Sequence, residues 1–395
     1  MAGPTSSSDG ERAPSQGGST EATTPAPGGD VREERRPPVD HATEMAPGIL
    51  RIQLPISMPG LGHVNCYALE DDRGWALVDP GLPGRGPWRE LTRRLDAAGI
   101  PLRRVHTVVV THSHPDHFGA AEAIRRETGA ELVTEHHFKT FWDPDEEDDE
   151  EKDLAATAAH RDEQRGALDR IRRAARDLGA SHPRWDRPTP WGGRSPRPGW
   201  RMRMQWRLSQ TIGSRYLHPP TPTSRVIDGE VVKLGGREWT ALHTPGHTTD
   251  HLCLFDADGG IVISGDHVLP TITPHISGLT RTADPLRQFF DSLERMHTLD
   301  DVSLVLPAHG LHFDDLSGRV GAIERHHAER LTILVDAGDE LGEANVGAYS
   351  QRLFRPRSWG PMADSETYAH LEHLRHEGRA ERRRVEGELR YRITA

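Results

Sequence analysis

Six consecutive positions, His112 to His117, hold three imidazoles and a carboxylate within Thr111-His112-Ser113-His114-Pro115-Asp116-His117, directly after the apolar run Val105 to Val110. A Val-rich run ending in a polar cluster reads as a buried strand that delivers side chains at a strand-to-helix turn, where several of them converge on one point. That is how a metal site is built. Alternate side chains of a strand share a face, so His112 and His114 point together while the following turn carries Asp116 and His117 to the other side. Two neighbouring metals fit this arrangement. Imidazole nitrogen and carboxylate oxygen suit zinc, with iron and manganese next, and no Cys lies among them to indicate a thiolate site. One histidine in a loop is usually solvated or satisfied in the core, and the chain has 24; three in six positions with an Asp between them argue for metal.

This run resembles the HxHxDH signature of the metallo-β-lactamase superfamily. Three further positions extend the resemblance in the expected order: His247 in Thr244-Pro245-Gly246-His247, Asp266 in Ser264-Gly265-Asp266, and His309 in Pro307-Ala308-His309-Gly310. Each follows a strand-like run beside Gly or Pro, as a side chain presented at a strand end does. The match covers roughly residues 44 to 320. By resemblance, His112, His114 and His247 hold one metal, Asp116, His117 and His309 hold the other, and Asp266 bridges. The implied cofactor is Zn2+, two per chain, with iron or manganese as alternatives. Such a pair lowers the pKa of a shared water and carries charge that develops on attack. Asp116 has a second, catalytic role open to it, since a carboxylate beside that water can take its proton.

Partners behind the ligands hold imidazoles in one tautomer. Asp79, in Leu77-Val78-Asp79-Pro80-Gly81, matches the family's Asp-Gly turn, although an Asp before Pro-Gly also caps turns. Asp250 and His251, just after His247, are the next candidates for this supporting role, with ordinary loop positions as the alternative. His267 and His275 follow the bridging Asp; lining of the cleft and plain surface exposure are both open for them.

The resemblance implies an α/β (α+β) fold, the four-layer αββα sandwich, with a small C-terminal winged-helix-like domain. The sequence pattern agrees with two strand-rich halves. Ile49 to Leu54, Val64 to Leu69 and Trp75 to Val78 are short runs between turn signals, followed by a helix over Trp88 to Ala98, the strand Val105 to Val110, and a helix over Ala120 to Glu127. The second series runs from near Val226 through Glu230 to Leu234, Arg237 to His243, His251 to Phe255 and Ile261 to Ser264, then a helix over Pro285 to Met296 and a strand over Val302 to Leu306. Residues 1 to 43, rich in Gly, Ser, Thr, Pro and charge, are expected to be a disordered tail. The expected domains are therefore 44 to 320 and 321 to 395.

Residues 138 to 224 exceed what a strand and helix need and are read as an insertion that forms a lid. It opens with an acidic run, Asp143 to Asp153, continues with a helical stretch from Asp162 to Leu178, and carries Trp185, Trp191, Trp200, Met202, Met204 and Trp206. From Arg161 to Arg215 there are fourteen Arg against five acidic residues. Arginine with Trp suits an anionic small-molecule substrate such as an acyl thioester of coenzyme A or a nucleotide. The alternative is that Trp and Met only pack the insertion onto the sandwich.

Past Asp314, helices are expected over Gly318 to Ala337, with Gly338 as its stop, over Asn345 to Phe354, and over Ser365 to His376, N-capped by Ser365. A hairpin over Ala380 to Thr394 follows. Thr367 to Arg379 resembles the C-terminal part of the β-lactamase-like protein 2 group, which includes endoribonucleases, while other relatives are thioesterases of the glyoxalase II type. A nucleic-acid-reading module carries a basic face. From Arg325 to Ala395, twelve Arg are balanced by twelve acidic residues, and Arg382 to Arg384 form the one strong cluster. The module is read as completing the pocket or a homodimer contact.

The net charge of -11 disfavours a general polyanion binder. Two cysteines, Cys66 and Cys253, are read as buried thiols. No secretory signal or membrane-spanning apolar run is found, so a cytoplasmic location is expected. The functional expectation is a dinuclear metal-dependent hydrolase in which metal-bridging hydroxide attacks a thioester, ester or related carbonyl. The alternatives are an endoribonuclease or other phosphodiesterase and a non-hydrolytic iron-binding protein.

Overall fold

A computed structural model of the chain describes residues 32–140, 188–193 and 216–394, apart from Pro59, Leu217, Pro219 and Arg281. Seven strands form the first sheet in sequence order: β1 (Thr43–Ala46), β2 (Ile49–Met58), β3 (Leu61–Asp71), β4 (Gly74–Val78), β5 (Val105–Val110), β6 (Glu131–Glu135) and β7 (Ser224–Val226). The early strands are antiparallel neighbours, while β4, β5, β6 and β7 run parallel. Helices α1 (Arg85–Ala97), α2 (Pro115–Phe118) and α3 (Ala121–Thr128) lie in the β4–β5 and β5–β6 connections. The second sheet has the order β12-β11-β10-β9-β8, made from β8 (Val231–Leu234), β9 (Arg237–His243), β10 (Leu252–Asp256), β11 (Ile261–Gly265) and β12 (Leu304–Pro307). Its β11–β12 pair is parallel and is connected through helix α4 (Pro285–His297).

Strand periodicity decides how these layers stack. Val109 of β5 faces the gap between the sheets with Val78, Leu254, Ile263, Leu306 and Trp239, whereas Val108 and Val110 turn to the helix side with Leu91, Leu95 and Ile124. In the second sheet, Cys253, Val262 and Val305 face outward onto Leu286, Phe289 and Leu293 of α4. Each central strand is apolar on both faces because helices cover one and the partner sheet the other. The result is the αββα sandwich.

Helix α5 (Leu316–Leu341) starts where the Asp315 carboxylate accepts the Gly318 N–H. It runs through the expected domain boundary at residue 320 without a break. After it come β13 (Ala344–Asn345), α6 (Val346–Leu353), α7 (Pro361–His376), β14 (Ala380–Val385) and β15 (Glu388–Ile393), with sheet order β13-β15-β14. These elements share one apolar cluster with the second sheet: Val262 and Val305 belong to the same core as Leu334, Tyr349, Leu371 and Tyr391. Two local expectations are corrected. Gly338 does not stop α5 but lets Ile393 approach, 2.4 Å from where its Cβ would lie, and Gly342 at φ 62° ends the helix. Ser365 sits inside α7, buried, and its Oγ accepts the Gly278 N–H at 3.0 Å.

The expected tail is also corrected at its end. Residues 32–43 pack on the sandwich, with the Glu34 side chain fully buried and β1 paired to β2. Composition carried no sign of this, because the anchor is a single buried carboxylate met by donors of Thr271 and Ile272, not an apolar run. Of the proposed lid, the acidic run Asp143 to Asp153, the helical stretch Asp162 to Leu178, and Trp185, Trp200, Met202, Met204 and Trp206 lie outside the described residues. Trp191 is described, and it packs on Tyr368 of α7 with ring centroids 5.1 Å apart. No helix among the described residues is long and apolar enough to cross a membrane.

Candidate metal centre

All seven expected ligands lie at the C-terminal ends of β5, β9, β11 and β12, on one edge of the sandwich. His112 follows β5, and His114 is the N-cap of α2, whose single turn carries Asp116 and His117. His247 comes from the β9–β10 loop, Asp266 follows β11, and His309 follows β12. The two sheets are tied directly behind the site, where the Leu252 N–H donates to the Thr111 carbonyl at 2.8 Å. Residues 197 positions apart in sequence, His112 and His309, thereby meet in one buried cluster.

Two groups of side chains able to hold a cation result: His112, His114, His247 and Asp266, and beside them Asp116, His117 and His309. In the first, His114 Nδ1 lies 2.9 Å from His112 Nε2 and 3.1 Å from His247 Nε2. In the second, Asp116 Oδ2 lies 3.5 Å from His309 Nε2 and 3.7 Å from His117 Nε2. The Asp266 carboxylate stands between them. Its Oδ2 is 3.6 Å from both His247 and His117 and 3.9 Å from His112, while its Oδ1 is 3.4 Å from His309. His117 Nε2, His309 Nε2 and Asp266 Oδ1 are buried and have no hydrogen-bond partner among the described residues. Such groups are costly unless something satisfies them. A divalent cation fits the donor set on both counts.

Outer partners settle the tautomers. His117 Nδ1 donates to Asp79 Oδ2 at 2.8 Å, His247 Nδ1 to the His275 carbonyl at 2.8 Å, and His309 Nδ1 to the His63 carbonyl at 2.7 Å. With the proton on Nδ1, each Nε2 lone pair faces the cluster. Asp79 also accepts from Thr111 N–H at 2.9 Å and Thr111 Oγ1–H at 2.7 Å, and that hydroxyl lies 3.1 Å from His112 Nδ1. One buried carboxylate thus braces imidazoles of both groups. Asp250 Oδ1 accepts from Ser113 Oγ at 3.1 Å, between the two leading histidines. His251 accepts the Asp266 N–H on Nε2 at 3.0 Å and bonds Thr244 Oγ1 through Nδ1 at 2.8 Å. Gly265, at φ 51°, is required beside it, because a Cβ there would lie 2.7 Å from His251 Nε2.

Charge in the cluster is strongly organised. Burial, then neighbouring imidazoles, holds His112 and His114 well below the ordinary histidine range. Burial pulls His117 the same way, but Asp116, Asp79 and Asp266 outweigh it and raise its pKa well above that range. Burial would raise Asp266, yet His309 and His117 hold it well below the usual carboxylate range. A field that keeps a proton on a buried imidazole also favours a metal cation at the same point. Burial pushes the Cys66 thiol up, and Cys253 likewise to about 12, which fits inert core thiols.

Several contributors escape a reading by motif. Thr111 and Thr244 act through hydroxyls that any strand end offers, and His63 and His275 orient ligands through backbone carbonyls, for which no residue type is a signal. His267 is neither surface nor cleft: it is fully buried against Phe289, with burial lowering its pKa to about 3. His275 is partly buried and its Nδ1 lies 3.1 Å from Glu366 Oε2 of α7.

The family model described as the Metallo-beta-lactamase superfamily matches residues 59–309, a span holding every ligand candidate. The chain belongs to this superfamily. Among curated members, it is 35% identical to the human protein named acyl-coenzyme A thioesterase MBLAC2 over 119 residues, 29% of this chain and 38% of that protein. The matched stretch therefore spans well under half of that thioesterase. The probable metallo-hydrolase YqjP of Bacillus subtilis is 25% identical over 338 residues, 82% of this chain and 92% of that one. In three dimensions, the metallo-beta-lactamase family protein TTHA1429 from Thermus thermophilus superposes with a TM-score of 0.63 at 26% identity, covering 89% of this chain and 100% of that one. A beta-lactamase domain protein from Burkholderia ambifaria gives 0.62 at 25% identity, with coverage of 90% and 96%.

Proposed function

We propose that this superfamily member is a dinuclear hydrolase, zinc-loaded, acting on a thioester, ester or related carbonyl. The observation that carries the reading is the Asp266 carboxylate, within 3.4 to 3.9 Å of imidazole nitrogens from both ligand groups. His112, His114 and His247 would hold one cation and Asp116, His117 and His309 the other, with Asp266 shared. When bound, a cation pair supplies an ionised water near neutral pH and stabilises negative charge on the attacked oxygen. Asp116, 3.7 Å from His117 and 3.5 Å from His309, would take the proton that the attacking water loses and return it to the leaving thiolate. The water oxygen bonds the acyl carbon, the carbon–sulfur bond breaks, and acid and thiol leave. Asp79 keeps the imidazoles of His112 and His117 in the ligating tautomer throughout.

The thioester preference draws on relatives named as an acyl-coenzyme A thioesterase and as an atrochrysone carboxyl ACP thioesterase. The phosphodiester reading gains no support from the C-terminal arginines. Arg382 pairs with Glu372 at 2.7 Å, Arg383 with Glu343 at 2.8 Å, and Arg384 donates to the Gly387 and Pro190 carbonyls.

A panel of acyl thioesters, lactones, β-lactams and single-stranded RNA, offered to the metal-reconstituted protein, tests the reading. Hydrolysis of a thioester or ester is expected, together with two equivalents of metal by elemental analysis. His114→Ala is expected to abolish turnover while the circular dichroism spectrum stays unchanged. Turnover that survives this substitution, or RNA as the sole substrate cleaved, would overturn the reading.

A further inference from the structure

The short turn Glu33–Arg35 precedes every described strand, and its contacts converge on two loops of the candidate metal centre. Glu34 Oε1 accepts the N–H groups of Thr271 and Ile272 at 2.9 and 3.0 Å, and its Oε2 accepts Thr271 Oγ1–H at 2.5 Å. Those donors lie on the loop that Asp266 opens. Glu33 Oε2 accepts the Leu311 N–H at 3.3 Å, two residues past His309. Arg36 offers its carbonyl to His63 Nδ1 at 2.9 Å; the same ring accepts the Gly310 N–H on Nε2 at 3.2 Å. The His63 carbonyl then accepts His309 Nδ1–H. The segment passes close over Gly62, where a Cβ would fall 2.3 Å from the Arg36 oxygen and 2.8 Å from the Arg35 oxygen.

We propose that residues 32–36 are a latch that holds the Asp266 and His309 loops at ligand spacing, with Glu34 and His63 as positioning residues. The 3.4 Å approach of Asp266 Oδ1 to His309 Nε2 is made between these two loops. Arg319 of α5 holds the Leu269 and Ile272 carbonyls and Asn65 the Gly310 carbonyl, whereas the Thr271, Ile272 and Leu311 N–H groups lie outside the strand pairing and are met by Glu33 and Glu34. A buried carboxylate is costly without donors, and Glu34 receives its three from one of the two loops. The adjacent Glu33 and Arg36 reach the other. Distortion of the latch therefore acts on both metal groups, although no latch residue belongs to either.

The inference rests on the two-metal reading for its consequence but not for its first test. In the metal-free chain, amide hydrogen exchange is compared with that of Glu34→Ala. A contact serving only its own loop would expose Thr271 and Ile272 alone. The latch requires Gly310 and Leu311 to exchange faster too, by about tenfold or more, as local opening becomes easier. Gly62→Ala displaces the segment from the opposite side and is expected to speed exchange at all four amides, which keeps the test open should Glu34→Ala fail to fold. Exchange confined to Thr271 and Ile272 in the first variant, or unchanged in both, overturns the latch.

Chelator competition on the loaded protein follows. Both variants should bind metal about 10- to 100-fold more weakly, the usual effect of losing an outer-sphere partner. Metal affinity equal to that of the unaltered chain, despite faster exchange at Gly310, removes the positioning role. Should the unaltered chain take up no second equivalent, the two-metal reading fails while the exchange pattern still decides the latch.

Discussion

Asp79 adopts a left-handed backbone conformation at φ 54°, a region that costs a non-glycine residue energy and is kept where the surroundings demand it. The demand is visible: its two oxygens take Thr111 N–H, Thr111 Oγ1–H and His117 Nδ1–H, all buried. Asp250 is the contrasting carboxylate. Its Oδ1 accepts from the Ser113 hydroxyl, and burial outweighs the lowering effect of Thr248 and Ser113 and pushes its pKa up to about 7. A carboxyl whose folded pKa is raised favours the folded state below the unfolded value, and that contribution is lost as pH climbs through the folded value. For the metal-free protein, the Asp250 contribution should therefore fall between about pH 4 and pH 7 because the unfolded Asp250 ionises first, against the opposite contribution of buried histidines such as His112 and His267, which favour the folded state as pH rises. Asp250→Asn cannot ionise, so its stability should gain on the unaltered chain across that window by up to about 4 kcal/mol, at about 1.4 kcal/mol per pH unit. Thermal or urea unfolding of both proteins across that window measures the gap; a gap that stays constant contradicts the assignment.

Strands position the site by ending together. β5 is an interior strand of the first sheet and β12 the edge strand of the second, and each delivers its first ligand candidate within three residues of Val110 or Leu306. Leu306 of β12 is fully buried between the sheets, with Ile263 opposite it in the parallel pairing and His309 three positions on. Leu306→Ala should cost about 2 to 5 kcal/mol through lost burial and an unfilled cavity. Urea denaturation gives the stability. A loss below about 1 kcal/mol would mean that the gap between the sheets collapses to fill the space, and that β12 is not held by this contact. These strands were legible from residue type as short, nearly continuous apolar runs, because Val, Ile and Leu on both faces mark strands buried on both sides. The short β1 was not, since Thr43-Glu44-Met45-Ala46 has no apolar alternation and pairs only along the β2 edge.

For the molecule as a whole, the C-terminal elements and the second sheet share one apolar core, with Leu371 and Tyr391 in the same cluster as Val262 and Val305. Such elements are expected to open as one cooperative unit. Amides of α7 and of β10 should therefore show equal free energies of exchange under mildly denaturing conditions; a lower value for α7 would make the C-terminal region an independent unit. Sequence by itself determined the candidate ligands and the succession of strands and helices, because both are written locally: HxHxDH at a strand end, isolated His247, Asp266 and His309 at later strand ends, and short apolar runs between turn signals. Asp79 was legible for the same reason, as an Asp at a strand-ending turn. Only the tertiary structure decided that Glu34 is buried, that His63 and His275 orient ligands, and that His267 lies in the core. Those roles depend on backbone carbonyls and on chain segments far apart in sequence, and a carbonyl carries no residue signature until folding brings its donor to it.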